Sequence, residues 1–189
     1  MNEPLILASA SPRRQELLRE AGIVFEVHPA HIPEERRAGE APIQYACRLA
    51  REKARAIAQR FPARCVLGAD TIVLVDDEVL EKPRDAEDAA RMLRLLSGRG
   101  HSVTTAVSLV SPARETDTRW ATTQVFFRKI GEREISEYIA GGEPMDKAGA
   151  YAIQGGAAQW TERIEGDYSN VVGLPLALVK EMLRANGAG

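Results

Sequence analysis

At 189 residues, 44% of them hydrophobic and 28% charged, the chain suits one well-cored globular domain spanning 1–189 and excludes a fibrous or disordered protein. A net charge of −2 argues against a duplex-nucleic-acid binder that works by bulk electrostatics, while leaving room for a local basic pocket. Cys47 and Cys65 form neither a CxxC pair nor a zinc spacing, no apolar run approaches the roughly 20 residues a bilayer needs, and Glu3 stands where a leader would be basic, so free thiols, no membrane and a cytoplasmic location are expected.

Strand-like and helix-like segments alternate, which predicts an α/β fold without linkers or repeats. Leu5-Ile6-Leu7 reads as a short buried strand. A tight turn and a helix follow, with Ser11 as N-cap, Pro12 as first helical residue and Gly22 as stop. A second helix is expected from about Pro42 to Arg60, its apolar stripe being Ala46, Leu49, Ala50, Ala54, Ile57 and Ala58. Cys65 to Val75 is an apolar, β-branched strand. Asp76-Asp77 then signals a hairpin to a short strand ending at Leu80. Asp85 caps a helix with Ala89, Met92, Leu93 and Leu96 on its inner face, and Gly98 ends it. Val103 to Leu109 alternates as a strand, Ser111-Pro112 breaks it, and Trp120 to Phe127 is its expected partner. A helix is expected over Glu132 to Ala140, stopped by Gly141-Gly142. Asp146 to Gly156 reads as a loop with a short strand, Gln159 to Ile164 as another strand, Glu165-Gly166-Asp167 as a turn and Pro175 to Ala185 as the last helix.

Several residues break the rules of these elements. Arg13 and Arg14 occupy the first helical turn, where the macrodipole is already positive and a cation is disfavoured by roughly 0.3–1 kcal/mol. With Ser9, Ser11 and the helix N–H groups they form a candidate phosphate cradle; the alternative is a solvated helix end whose arginines pair with nearby carboxylates. Asp70 lies inside an apolar strand, so it must be neutralised, paired or metal-bound. Gly68 and Ala69 beside it are small enough for a ligand to approach the backbone. Lys53 falls on the packed stripe of the second helix, placing its ammonium either at the core edge or in a cleft. Glu81-Lys82-Pro83-Arg84-Asp85 is a charged strand-to-helix junction, either a ligand loop or a solvated one. Glu34 and Glu35 are paired carboxylates suited to a hard cation or to plain surface. Gln154, before two glycines, offers a donor and an acceptor to a base edge or to a turn. His28, His31 and His101 show no ligand spacing.

Taken together, Ala8-Ser9-Ala10-Ser11-Pro12-Arg13-Arg14, Arg51-Glu52-Lys53-Ala54, Gly68-Ala69-Asp70-Thr71, Leu80-Glu81-Lys82-Pro83, Asp146-Lys147-Ala148-Gly149-Ala150-Tyr151, Gly166-Asp167-Tyr168 and Val171-Val172-Gly173-Leu174-Pro175 resemble the Maf family of nucleoside triphosphate pyrophosphatases. The resemblance implies hydrolysis between the α and β phosphates to a monophosphate and pyrophosphate. Asp70 matches the family's catalytic carboxylate, Arg13, Thr71 and Gln154 match positions of substrate choice, and Ser9, Arg14, Glu34, Lys53 and Lys82 match other cleft residues. It also implies a fold similar to inosine triphosphate pyrophosphatases: an elongated mixed sheet flanked by helices, two lobes around a central cleft, and often a homodimer. Ala150-Tyr151-Ala152-Ile153-Gln154 is similar to the branch acting on thymidine and uridine triphosphates. Pro33 departs from the family, which commonly carries an acid there.

The resemblance leads to an expected mechanism. Arg13, Arg14, the helix N-terminus, Lys53 and Lys82 hold the triphosphate, a divalent magnesium or manganese ion sits with Glu34 and Asp70, and Asp70 serves as proton acceptor or metal ligand. Modified nucleotides as preferred substrates, and regulation of septum formation through a binding partner, are the competing functions.

Overall fold

The structure, a computed structural model, describes residues 3–113 and 115–187. Its helices are α1 (Pro12–Glu20), α2 (Pro42–Ala58), α3 (Ala86–Leu96), α4 (Glu132–Ala140), α5 (Tyr168–Val172) and α6 (Leu176–Ala185). Its strands are β1 (Leu5–Leu7), β2 (Phe25–Val27), β3 (Val66–Val75), β4 (Glu78–Leu80), β5 (Gly100–Val110), β6 (Thr116–Phe127) and β7 (Thr161–Glu165). The seven strands form one mixed sheet in the order β2-β1-β3-β5-β6-β7, with β4 paired to β3. The expected α/β class with a mixed sheet is thus present. No helix among the described residues is long and apolar enough to cross a membrane.

By its contacts the chain divides into two compact units. The first holds the residues up to Asp70, Thr105–Ala121 and the residues from Gly173 onward. Here β1 runs parallel to both β2 and β3, with Leu5 opposite Phe25 and Ile6 opposite Val66. Every residue of β1 is buried, because a strand between two parallel neighbours has no solvent side. Ile6, Ala8, Ala54, Ile57, Val66 and Val110 form one core cluster, so the apolar stripe of α2 does pack inward. Pro12 opens α1 as expected, and Gly22 stops it at φ 71°, a left-handed conformation that glycine adopts freely. Ser11 is the N-cap by position, but its side chain makes no capping bond.

The second unit comprises Thr71–Thr104 and Thr122–Val172. β3 turns back at Asp76-Asp77 into antiparallel β4, with Val73 opposite Leu80. Asp85 caps α3 by accepting the Asp88 N–H at 2.8 Å, and Ala89, Met92, Leu93 and Leu96 are buried. The short strand expected within Asp146–Gly156 is absent. Three 3-10 turns, Glu143–Asp146, Ala148–Ala150 and Gly156–Trp160, occupy the region, so Gln159 and Trp160 lie in a turn and not in β7. β2 and α5 are elements that the sequence pattern does not announce, and β5 and β6 run longer than expected.

Candidate active site

The centre of the first unit is made by an unusually close helix–strand contact. A Cβ built on Gly68 of β3 would stand 2.3 Å from the Ala50 carbonyl oxygen and 2.7 Å from the Ala54 nitrogen of α2. Glycine there lets the α2 backbone rest directly on the strand. The expectation that this glycine admits a ligand is therefore corrected: it admits a helix. Side chains two residues apart on a strand share a face, so Asp70 points the same way as that contact. One turn of α2 beyond Ala50, Lys53 meets it, Nζ donating to Asp70 Oδ1 at 2.7 Å. Both residues are only 7% exposed. Lys53 Nζ also lies 2.7 Å from Glu34 Oε1, so one ammonium joins a buried carboxylate and a half-exposed one.

Burial pushes the Asp70 carboxyl above its ordinary pKa, against the opposing pull of Lys53 and Arg14. A carboxylate made more basic in this way is a better proton acceptor than one in water. Arg14 is half-buried, and its guanidinium is held below its usual range by desolvation. It braces three pieces of the unit: Nε donates to the Gly173 carbonyl at 2.8 Å, and Nη1 to Ser9 Oγ at 3.1 Å and to the Ala69 carbonyl at 3.0 Å. Ser9 Oγ in turn accepts the Ser11 N–H at 3.3 Å, shaping the turn into α1. Arg13 differs from its neighbour. It is half-buried on the first turn of α1, which has no acidic residue, and it makes no hydrogen bond or ion pair with another described residue. Of the two expected readings of this helix end, pairing with a carboxylate is not what Arg13 does.

Glu34 comes from the irregular segment between β2 and α2. Contacts that the motifs do not foreshadow hold that segment down. The Tyr45 hydroxyl donates to the Glu34 carbonyl at 3.0 Å, and Arg48 Nη2 donates to the Glu35 carbonyl at 2.9 Å. Arg48 also grips Glu40 through two bonds of 2.6 and 2.8 Å, which, with the Arg37 N–H, brings the Glu40 carboxyl down to about 2. The Glu35 side chain is exposed. Among the described residues, no three His, Cys, Asp or Glu side chains gather as a metal cage.

The second unit carries the other candidates. Thr71 follows Asp70 on β3 and is half-buried. Lys82 is exposed in the segment after β4, which is tied down where the Gly149 N–H donates to the Glu81 carbonyl at 3.2 Å. Gln154 is exposed, and its carboxamide has no partner among the described residues. Its loop is fixed from below by Glu143, which accepts from the Tyr138 hydroxyl at 2.9 Å and from the Gly156 N–H at 3.2 Å, while the Ala152 N–H donates to Tyr138 Oη. His101 is a core residue, Nε2 within 2.8 Å of the Tyr151 hydroxyl.

A mixed α/β sheet that carries a buried Asp–Lys pair, joined by the half-exposed Glu34, in the same unit as a helix N-terminus with two arginines defines the class: an α/β protein with a charged centre suited to anionic ligands. The family is more specific: residues 4–186 match the family described as Maf-like protein, and the chain belongs to it. It is 60% identical over 183 residues to the dTTP/UTP pyrophosphatase of Koribacter versatilis (strain Ellin345), covering 97% of this chain and 94% of that protein. It is 53% identical over 188 residues to the dTTP/UTP pyrophosphatase of Geobacter metallireducens (strain ATCC 53774 / DSM 7210 / GS-15), covering 99% and 98%. Among solved structures, the Staphylococcus aureus Ham1 protein shares the fold, with a TM-score of 0.52 at 15% identity over 97% of this chain and 99% of that one.

Proposed function

We propose that this protein hydrolyses nucleoside triphosphates at the α–β phosphoanhydride, releasing a monophosphate and pyrophosphate, and prefers thymidine and uridine triphosphates. The observation that carries the reaction is Asp70: a buried carboxylate, made basic by burial, held by one ammonium in the unit where Arg13 has no hydrogen-bond or ion-pair partner among the described residues. The base preference rests on the relatives' names and on Gln154, whose open carboxamide can complement the N3–H and flanking carbonyl of a uracil or thymine edge.

In this reading Arg13 and the α1 N-terminus attract the triphosphate, with Lys82 and Thr71 as further substrate contacts. Asp70 takes a proton from the attacking water as the oxygen joins the α-phosphorus, the bond to the bridging oxygen breaks, and pyrophosphate leaves. Lys53 fixes the Asp70 carboxylate and returns positive charge to the site. Arg14 acts through Ser9, Ala69 and Gly173, keeping the cradle in shape. Glu34 and Asp70, both within reach of Lys53 Nζ, are the oxygen-donor carboxylates that would hold a magnesium or manganese ion. Such an ion neutralises charge on the phosphate oxygens when bound.

The test is pyrophosphate release from a panel of nucleoside triphosphates with magnesium or manganese, products resolved by chromatography. Fastest conversion of thymidine and uridine triphosphates is expected. Preference for another base, modified or not, overturns the role of Gln154. No turnover by a folded sample overturns the reaction.

A further inference from the structure

Glu34 is the one carboxylate of the triad that does not belong to regular structure. Asp70 is set by a strand and Lys53 by a helix, but Glu34 hangs from an irregular segment with no helical or sheet hydrogen bonds of its own. A long carboxylate side chain that is 41% exposed to water loses conformational freedom when it is kept beside a buried ammonium. Something must hold the segment's backbone, and the structure shows what does. Tyr45 and Arg48, one helical turn apart on α2, are both buried, and both reach across to it. Tyr45 takes the Glu34 carbonyl and Arg48 takes the Glu35 carbonyl. Arg48 is anchored by a two-bond fork to Glu40, at the far end of the same segment, and by Glu52 one turn on. Glu40 also receives the Arg37 N–H at 3.1 Å, and its carbonyl receives Arg36. The segment is thus stapled to one arginine at Glu35 and at Glu40, with the Glu34 carbonyl secured by Tyr45 just ahead of the first attachment.

We infer that Arg48, Glu40 and Tyr45 are positioning residues that aim the Glu34 carboxylate at the Asp70–Lys53 pair. Tyr45 touches the backbone of Glu34, and Arg48 and Glu40 act on the neighbouring part of the segment. The consequence for function rests on the proposed reaction, whereas the stapling does not. Lysine cannot replace Arg48, because a single ammonium cannot fork to Glu40 and hold the Glu35 carbonyl together. Removing the Tyr45 hydroxyl deletes its bond to the Glu34 carbonyl and leaves the ring packing, so Tyr45→Phe tests the carbonyl contact even if Arg48→Lys fails to fold.

The experiment compares wild type, Arg48→Lys, Glu40→Gln and Tyr45→Phe in three ways: amide hydrogen exchange across residues 31–40, manganese affinity by electron paramagnetic resonance, and steady-state kinetics. Exchange in the segment is expected to accelerate about tenfold in each variant that folds, with exchange of β1 and α1 unchanged. Manganese affinity is expected to weaken by about tenfold or more, with kcat falling and the nucleotide KM nearly constant. Unchanged exchange overturns the staple. Faster exchange with unchanged manganese affinity and kcat overturns the aiming of Glu34. A wild-type protein without pyrophosphate release defeats the reaction and not the staple, which the exchange and manganese measurements still judge.

Discussion

Asp70 is held between opposing demands. Burial favours its neutral form, and Lys53 favours the charged one. Replacing it with Asn keeps the shape and removes the proposed proton acceptor, so Asp70→Asn is expected to lower kcat by about 10²–10⁴-fold without loss of fold, checked by single-turnover kinetics beside circular dichroism. His101 makes a prediction on stability instead. Its pKa is lowered to about 4 by burial, against an unfolded value of 6.5. The unfolded chain therefore binds more protons between those values, and stability present above pH 6.5 is lost as pH falls toward 4. The loss is on the order of 3 kcal/mol. Urea titrations from pH 7 to 4 are expected to show it in the wild type and far less in His101→Gln; equal slopes in both would assign the acid sensitivity elsewhere.

The pairing of α2 with β3 is the element on which the triad depends. Gly68→Ala would drive a Cβ into the Ala50 carbonyl, so the helix must lift. A loss of about 1–3 kcal/mol in urea unfolding is expected, together with lower kcat, because lifting α2 moves Lys53 from Asp70. Wild-type kcat in that variant would show that the close approach serves packing alone. This element also shows what a sequence can and cannot disclose. Asp70 was legible because an acid in an apolar strand is an anomaly in its own window. Lys53 was legible because helical periodicity places it among alanines. Arg48 was not, since its burial is decided by Glu40 and the Glu35 carbonyl, partners set by the path of an irregular segment. The Asp146–Gly156 region misled for a related reason. Its glycines serve close approach, Gly155 standing where a Cβ would fall 1.8 Å from Glu143 Oε1, and Ala150 takes a left-handed φ of 59°, so no strand can form. β2 was missed because three residues carry no period, and it exists only by pairing with β1.

Across the molecule, β3 passes from the first unit to the second at Asp70–Thr71, β5 returns at Thr104–Thr105, β6 leaves again at Ala121–Thr122, and the last return is at Gly173. The acidic centre of the first unit has its own counter-ion in Lys53, so its folding does not wait for a metal. Metal-stripped protein in excess chelator is expected to keep its native circular dichroism spectrum, unlike small folds that need metal to form. Loss of ordered structure on stripping would show that Lys53 is an insufficient counter-ion. The Arg14 brace closes on a carbonyl from the final return, joining one of the earliest segments of the chain to one of the latest. A polypeptide cut short before Gly173 therefore carries the whole amino-terminal signature and still lacks the contact that shapes it. For the proposed reaction, competence is therefore expected to arrive late in synthesis, and a product terminated before Gly173 is expected to release no pyrophosphate.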